Sequence, residues 1–162
     1  MSRTSERHTA MLNHLVTDGA SAFKPAAALG EGRLTDWGHG WVKGRWQINP
    51  DFYLPDKTVF GGYIAALADH LLAIVAFTVL EENTERFRTA NLQTTFFRPL
   101  TGEAVDLEAR VINVSRRLIN VEGDFLNGDG KIAARCSAAQ SRRRVEAADA
   151  FPETPPNGSN AA

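Results

Sequence analysis

Cysteine is nearly absent from this chain. Among 162 residues there is one, Cys136. A lone thiol excludes an internal disulfide and any metal site built from several cysteines. It suits a reducing compartment, and a cytoplasmic protein is the expectation. Charge of one sign is also missing: 18 basic residues face 19 acidic ones. No overall field then draws the chain to nucleic acid or to an anionic membrane, and neither is expected as a partner. The run Arg142-Arg143-Arg144 reads as the solvated end of a strand. The opening MSRTSERHTAMLNH lacks the apolar core of a secretion signal. An uninterrupted membrane-length apolar run is lacking too. The nearest candidate, Val59 to Leu80, begins beside Gly61-Gly62 and carries Asp69 and His70 at its middle. An ionised carboxylate at that depth in lipid costs about 3 kcal/mol or more, so a buried helix is the better reading.

What is present has the size of one domain. Met11, Leu12, Leu15 and Val16 mark one face of a short helix over residues 6–16. Gly- and Ala-rich sequence reaching Gly40 reads as loop. GWVKGRWQIN alternates Val42, Gly44, Trp46 and Ile48 with Lys43, Arg45 and Gln47, the pattern of a half-buried strand. After the apolar helix comes a polar exit over 81–88, and then the period turns to two. TANLQTTFFRPL, AVDLEARVIN, LINVEGDFL and KIAARCSAAQS read as four strands joined as hairpins, with Asn127-Gly128-Asp129-Gly130 as one turn. A helix apolar on nearly all sides must be covered nearly all round. The expected architecture is therefore α+β, a curved antiparallel sheet wrapped around a long central helix. Residues 1–40 form an N-terminal helix and loop, 41–145 the domain, and 146–162, rich in Pro, Gly, Ser and Asn, a disordered tail.

The element order, with Gly61-Gly62 opening the helix and Asp69 nine residues after Phe60, resembles the hotdog fold. More narrowly, it is similar to acyl-CoA thioesterases of the phenylacetate-pathway and 4-hydroxybenzoyl-CoA type. The resemblance spans residues 41–141 and takes in Arg98-Pro99 and Asp129-Gly130-Lys131. It implies hydrolysis of acyl-CoA by a homo-oligomer, a dimer or a dimer of dimers. No metal or redox cofactor is implied, and CoA enters as part of the substrate.

The chemistry fits those residues. A thioester carbonyl under attack gathers negative charge on oxygen. Free N–H groups at a helix start stabilise that charge, and glycine lets the substrate approach closely. Gly61 and Gly62 stand there, and Asp69 is the candidate general base or nucleophile. Gly61 and Asp69 lie eight residues apart, about 12 Å along one helix. One carbonyl cannot reach both, so two antiparallel copies are expected to share a crevice. The bland alternatives are that Asp69 is a buried acid held by a cap or a partner's donor, and that the glycines serve packing.

Several positions depart from the resemblance. Phe60 stands where the family has His, Leu54 where Asn or Gln is frequent, and Ala73 where some relatives carry Ser or Thr. Phe60, Leu54 and Tyr63 are therefore candidates to line an apolar acyl pocket, with Phe96, Phe97 and Trp46 as further aromatic residues. Asp56, Thr58 and His70 are the nearest polar replacements. Arg116 and Arg117, at a strand turn, are either solvated charge or contacts for the CoA phosphates. His70 lies about 100° around the helix from Asp69, the place of a core or interface histidine. His39 reads as a loop residue and Cys136 as core. An alternative function is a non-hydrolytic acyl-CoA-binding or regulatory protein, which the missing polar residues would explain. A hotdog dehydratase would need a loop histidine between Asn49 and Val59, and the chain has none there.

Overall fold

The structure, a computed structural model, describes residues 4–19, 28–81 and 85–145. The chain runs α1 (Glu6–Thr17), β1 (Gly32–Gly38), β2 (Trp41–Gln47), a 3₁₀ turn (Pro50–Phe52), α2 (Gly61–Phe77), β3 (Glu85–Phe96), β4 (Ala104–Val114), β5 (Leu118–Leu126) and β6 (Ile132–Arg144). The six strands form one antiparallel sheet in the order β1-β2-β4-β5-β6-β3. Together with α2 packed on the sheet, this is the α+β hotdog architecture.

Two strand assignments differ from the sequence expectation. The Gly-rich segment assigned to an N-terminal helix and loop contains β1. Its glycines face tryptophans directly across the ladder: Gly32 pairs with Trp46 and Gly38 with Trp41. A Cβ on Gly32 would lie 1.9 Å from Trp46 Cε3. Glycine is there to make room for the indole, so the residue that weakens strand propensity is what lets this pair form. The second difference concerns β3. It forms no hairpin with β4 but crosses to the far edge and pairs with β6. It also begins within the segment read as the helix's polar exit. Residues 146–162, read as a disordered tail, lie outside the described residues.

Alternation builds the core. Val105, Leu107 and Ala109 of β4 and Ile119, Val121 and Phe125 of β5 are buried, as are Leu67, Leu72 and Val75 of α2. Burying each large apolar side chain contributes about 1.5–3 kcal/mol. β6 turns small residues inward, Ala134, Cys136 and Ala138. At Gly123 an added Cβ would sit 3.3 Å from Leu72 Cδ2 and 3.2 Å from Ala109 Cβ. The helix therefore lies close on the sheet. The outer face carries cross-strand ion pairs, Lys43–Glu108 at 2.9 Å, Arg45–Asp106 at 2.8 Å and Arg135–Asp124 at 2.7 Å. Such exposed pairs are worth about 0.2–1 kcal/mol each.

α2 is not covered all round. Gly62, Ala66 and Asp69 are exposed, and Ala73 is partly so. At i, i+4, i+7 and i+11 they form one stripe that the sheet leaves open. Among the described residues no helix is long and apolar enough to cross a membrane.

Candidate active site

α2 begins at Gly61 without a capping side chain; its cap residue is Phe60, at φ −58° and ψ 127°. The Phe60 N–H donates to Phe52 O at 2.9 Å and the Val59 N–H to Leu100 O at 3.0 Å, which fixes the entering chain. Tyr63 and Ile64 both donate to Phe60 O, at 3.0 and 3.4 Å. The amides of Gly61 and Gly62, first in the helix, have no helical carbonyl four residues back to use. Two phenyl rings flank them. A Cβ on Gly62 would lie 2.4 Å from Phe60 Cε1, and one on Gly61 would lie 3.2 Å from Phe96 Cζ. Phe60 is 50% exposed and Leu54 42%, and Phe96 and Phe97 are also exposed. The helix start is thus an open apolar shelf with two backbone donors.

Asp69 stands two turns along the same face. It is exposed, and Thr89 Oγ1 of β3 donates to its Oδ1 at 2.7 Å. Thr89 escaped the sequence reading because a bulge hides its orientation. Leu92, Thr94 and Phe96 pair with the inward residues Ala138, Cys136 and Ala134 of β6; below the bulge, Thr89 pairs with inward Gln140. The inward positions pass from even to odd numbers across the extra residue, Ala90. Only a parity change within the strand could have signalled it.

The structure separates the other candidates. Tyr63, expected against an acyl group, is 1% exposed. Its hydroxyl donates to Leu29 O at 2.5 Å and its ring packs on Phe52. It is a core residue, and burial pushes its phenol pKa up. This corrects the sequence expectation, because position 63 lies about 120° around the helix from Asp69. His70 also turns away from the open stripe. Its ring meets Trp46 edge-on, 5.5 Å between centroids. It lines a small apolar cavity of about 10 Å³ with Leu15, Leu67 and Ile74. Burial lowers its pKa, opposed by Asp69, and its Nε2 has no hydrogen-bond partner among the described residues. Asp56 and Thr58 are occupied with one another, the Thr58 hydroxyl donating to Asp56 Oδ1 at 2.7 Å. His39 is exposed in the β1–β2 turn, and Cys136 is fully buried. Arg116 and Arg117, exposed at the β4–β5 turn, line an open groove with Arg142, Arg143 and Arg144. Arg142 is ion-paired with Glu85 in the same groove. Along β6, Arg142 is two residues from Gln140, roughly 7 Å at strand rise.

Gly62 and Asp69 thus lie along the uncovered side of one central helix, with Gly61 half-buried beside Gly62. Residues 56–134 match the family model of the thioesterase superfamily. Over that segment the chain is similar to the thioesterase superfamily. Solved structures agree with the fold. A phenylacetic acid degradation-related protein of Ralstonia eutropha JMP134 is 26% identical, with a TM-score of 0.70 over 83% of this chain and 98% of its own. A thioesterase of Haemophilus influenzae is 20% identical, with a TM-score of 0.72 over 89% and 96%. A Streptococcus pneumoniae TIGR4 protein, solved with coenzyme A, is 11% identical, with a TM-score of 0.67 over 74% and 92%. No curated protein matches the chain in sequence. Thioester hydrolysis is the activity that the superfamily and the fold support.

Proposed function

We propose that this protein is a thioesterase and that it hydrolyses acyl-CoA. The observation that carries the reading is Asp69: a carboxylate in the most apolar helix of the chain, exposed and braced by the Thr89 hydroxyl. An acid kept for packing would be enclosed and fully paired. Gly62 and Asp69 share a face but stand about 10 Å apart, so a second copy completes the site. The small stripe on α2 lets a second helix approach closely. β3, twelve residues long and at the sheet edge, offers unpaired backbone to another strand. In the resulting homodimer, which can pair further into a tetramer, the Gly61 and Gly62 amides of one copy face Asp69 of the other.

Water attacks the thioester carbonyl carbon while Asp69 takes its proton. The carbonyl oxygen becomes an oxyanion held by the two amides. The C–S bond then breaks, and the proton from Asp69 passes to the departing thiolate. Free acid and CoA result, with no cofactor required. Leu54, Phe60 and Phe96 offer an apolar surface to the acyl chain. Arg116 and Arg117 offer cations to the phosphates of CoA, and the coenzyme A in the Streptococcus pneumoniae structure supports that substrate class. We place the enzyme in the cytoplasm.

The Phe60 ring resting on Gly62 favours a second reading, acyl-CoA binding without turnover. A free-thiol assay over a panel of acyl-CoAs separates the two. The wild type releases CoA and Asp69→Asn loses at least about a hundredfold in kcat. Equal rates in both proteins would remove Asp69 from the mechanism, and saturable binding without thiol release would establish the second reading.

A further inference from the structure

Gln140 of β6 lies opposite Thr89 in the β3–β6 ladder and is fully buried. Its Oε1 is 3.0 Å from Thr89 Oγ1, which is also 2.7 Å from Asp69 Oδ1. Gln140 Nε2 is enclosed and has no partner among the described residues. A hydroxyl has one proton to give, yet two acceptors face it, while an amide donor beside them stands idle. A half-turn of the amide exchanges its oxygen and nitrogen at almost no cost in shape. Nε2 then donates to Thr89, and the Thr89 proton is free for Asp69.

We propose that Gln140 is a positioning residue for Asp69, acting through Thr89, and that its amide turns over as the acid gains and loses a proton. With Asp69 ionised, the chain runs from the Gln140 N–H to the Thr89 oxygen and from the Thr89 O–H to the carboxylate. The amide carbonyl is then left without a donor, a milder deficit than an unpaired N–H. Once Asp69 has taken a proton from water, its own O–H needs an acceptor. It donates to Thr89 Oγ1, and the Thr89 hydroxyl turns to Gln140 Oε1. Within the trio the change needs only one hydroxyl rotation and one amide flip, and it reverses when Asp69 gives its proton to the thiolate. The backbone does not move, since β3 and β6 are paired on both sides of this point. A glutamine suits the post because its amide can present a donor or an acceptor at the same spot without a change of charge, on a side chain long enough to reach Thr89.

The inference rests on Asp69 being the base, so the test carries that control. Gln140→Met keeps length and volume but removes the amide. It is expected to lower kcat roughly tenfold, the upper scale of one neutral hydrogen bond, with KM unchanged. The loss should vanish when Gln140→Met is added to Thr89→Val, and Thr89→Ser should retain near wild-type turnover. If Gln140→Met does not fold, Gln140→Asn, one methylene short of Thr89, tests the same contact. Full kcat in the Gln140 variants while Asp69→Asn is inactive would overturn the proposal and leave the proposed reaction standing. An equal loss with Thr89 or Val at position 89 would mean a merely structural role and overturn it as well. Wild-type turnover by Asp69→Asn would remove both.

Discussion

Replacing Gly32 by alanine tests the reason for glycine in β1. The added methyl would lie 1.9, 2.2 and 2.6 Å from three atoms of the Trp46 indole. No rotation of a methyl relieves that, so the ring must leave its place. Trp46 is 6% exposed, donates Nε1–H to Leu29 O at 3.2 Å, and touches His70 edge-on. Overpacking costs about 1–3 kcal/mol, a lost hydrogen bond about 1, and a lost aromatic contact about 0.5–1.5. Because one displacement loses all three only in part, the expected total is about 3 kcal/mol. Urea unfolding followed by circular dichroism should show this as a lower midpoint at unchanged slope. Trp46→Leu should be destabilised by itself, but Gly32→Ala added to it should cost less than about 1 kcal/mol, since the obstacle is gone. A loss below about 1 kcal/mol in the wild-type background, or the same loss in both backgrounds, would refute the steric argument.

Two further outcomes follow from the same geometry. Burial lowers the pKa of both His8 and His70, so the unfolded chain binds protons more readily there. Stability is then full above about pH 6.5 and falls as pH drops below it, by up to about 1.4 kcal/mol per pH unit per histidine. Chemical unfolding between pH 7.5 and 5 should show the slope, and His70→Phe should reduce it. Arg116→Ala combined with Arg117→Ala should raise KM for acyl-CoA several-fold at low salt, with little change in kcat. The same pair should leave KM unchanged for a thioester that lacks the nucleotide.

Much of the fold was legible because two periodicities rarely conflict. Val105, Leu107 and Ala109 against Asp106, Glu108 and Arg110 could hardly be anything but a strand with one wet face, and Lys43 and Arg45 found their acids across it. β1 was illegible because its glycines answer to tryptophans fourteen and three residues downstream, a relation local propensity does not contain. The place of β3 was hidden for a similar reason, since alternation identifies a strand but not its neighbour. At the site, helix spacing alone aligned Gly62 with Asp69, and the same spacing turns Tyr63 inward. Thr89 and Gln140 could not be found in this way. One depends on a bulge, and the other is a polar residue buried at a position that the pattern assigns to the core.

The open stripe on α2 puts the donors and the acid of one chain at stations too far apart to serve one ester. In an assembly built on that stripe, each crevice takes its halves from different molecules. A chain lacking its acid would spoil the crevice its mate's glycines serve, while its own glycines could still complete the other. Where two alleles are expressed together, damage would be shared out between crevices rather than confined to the chain that carries it.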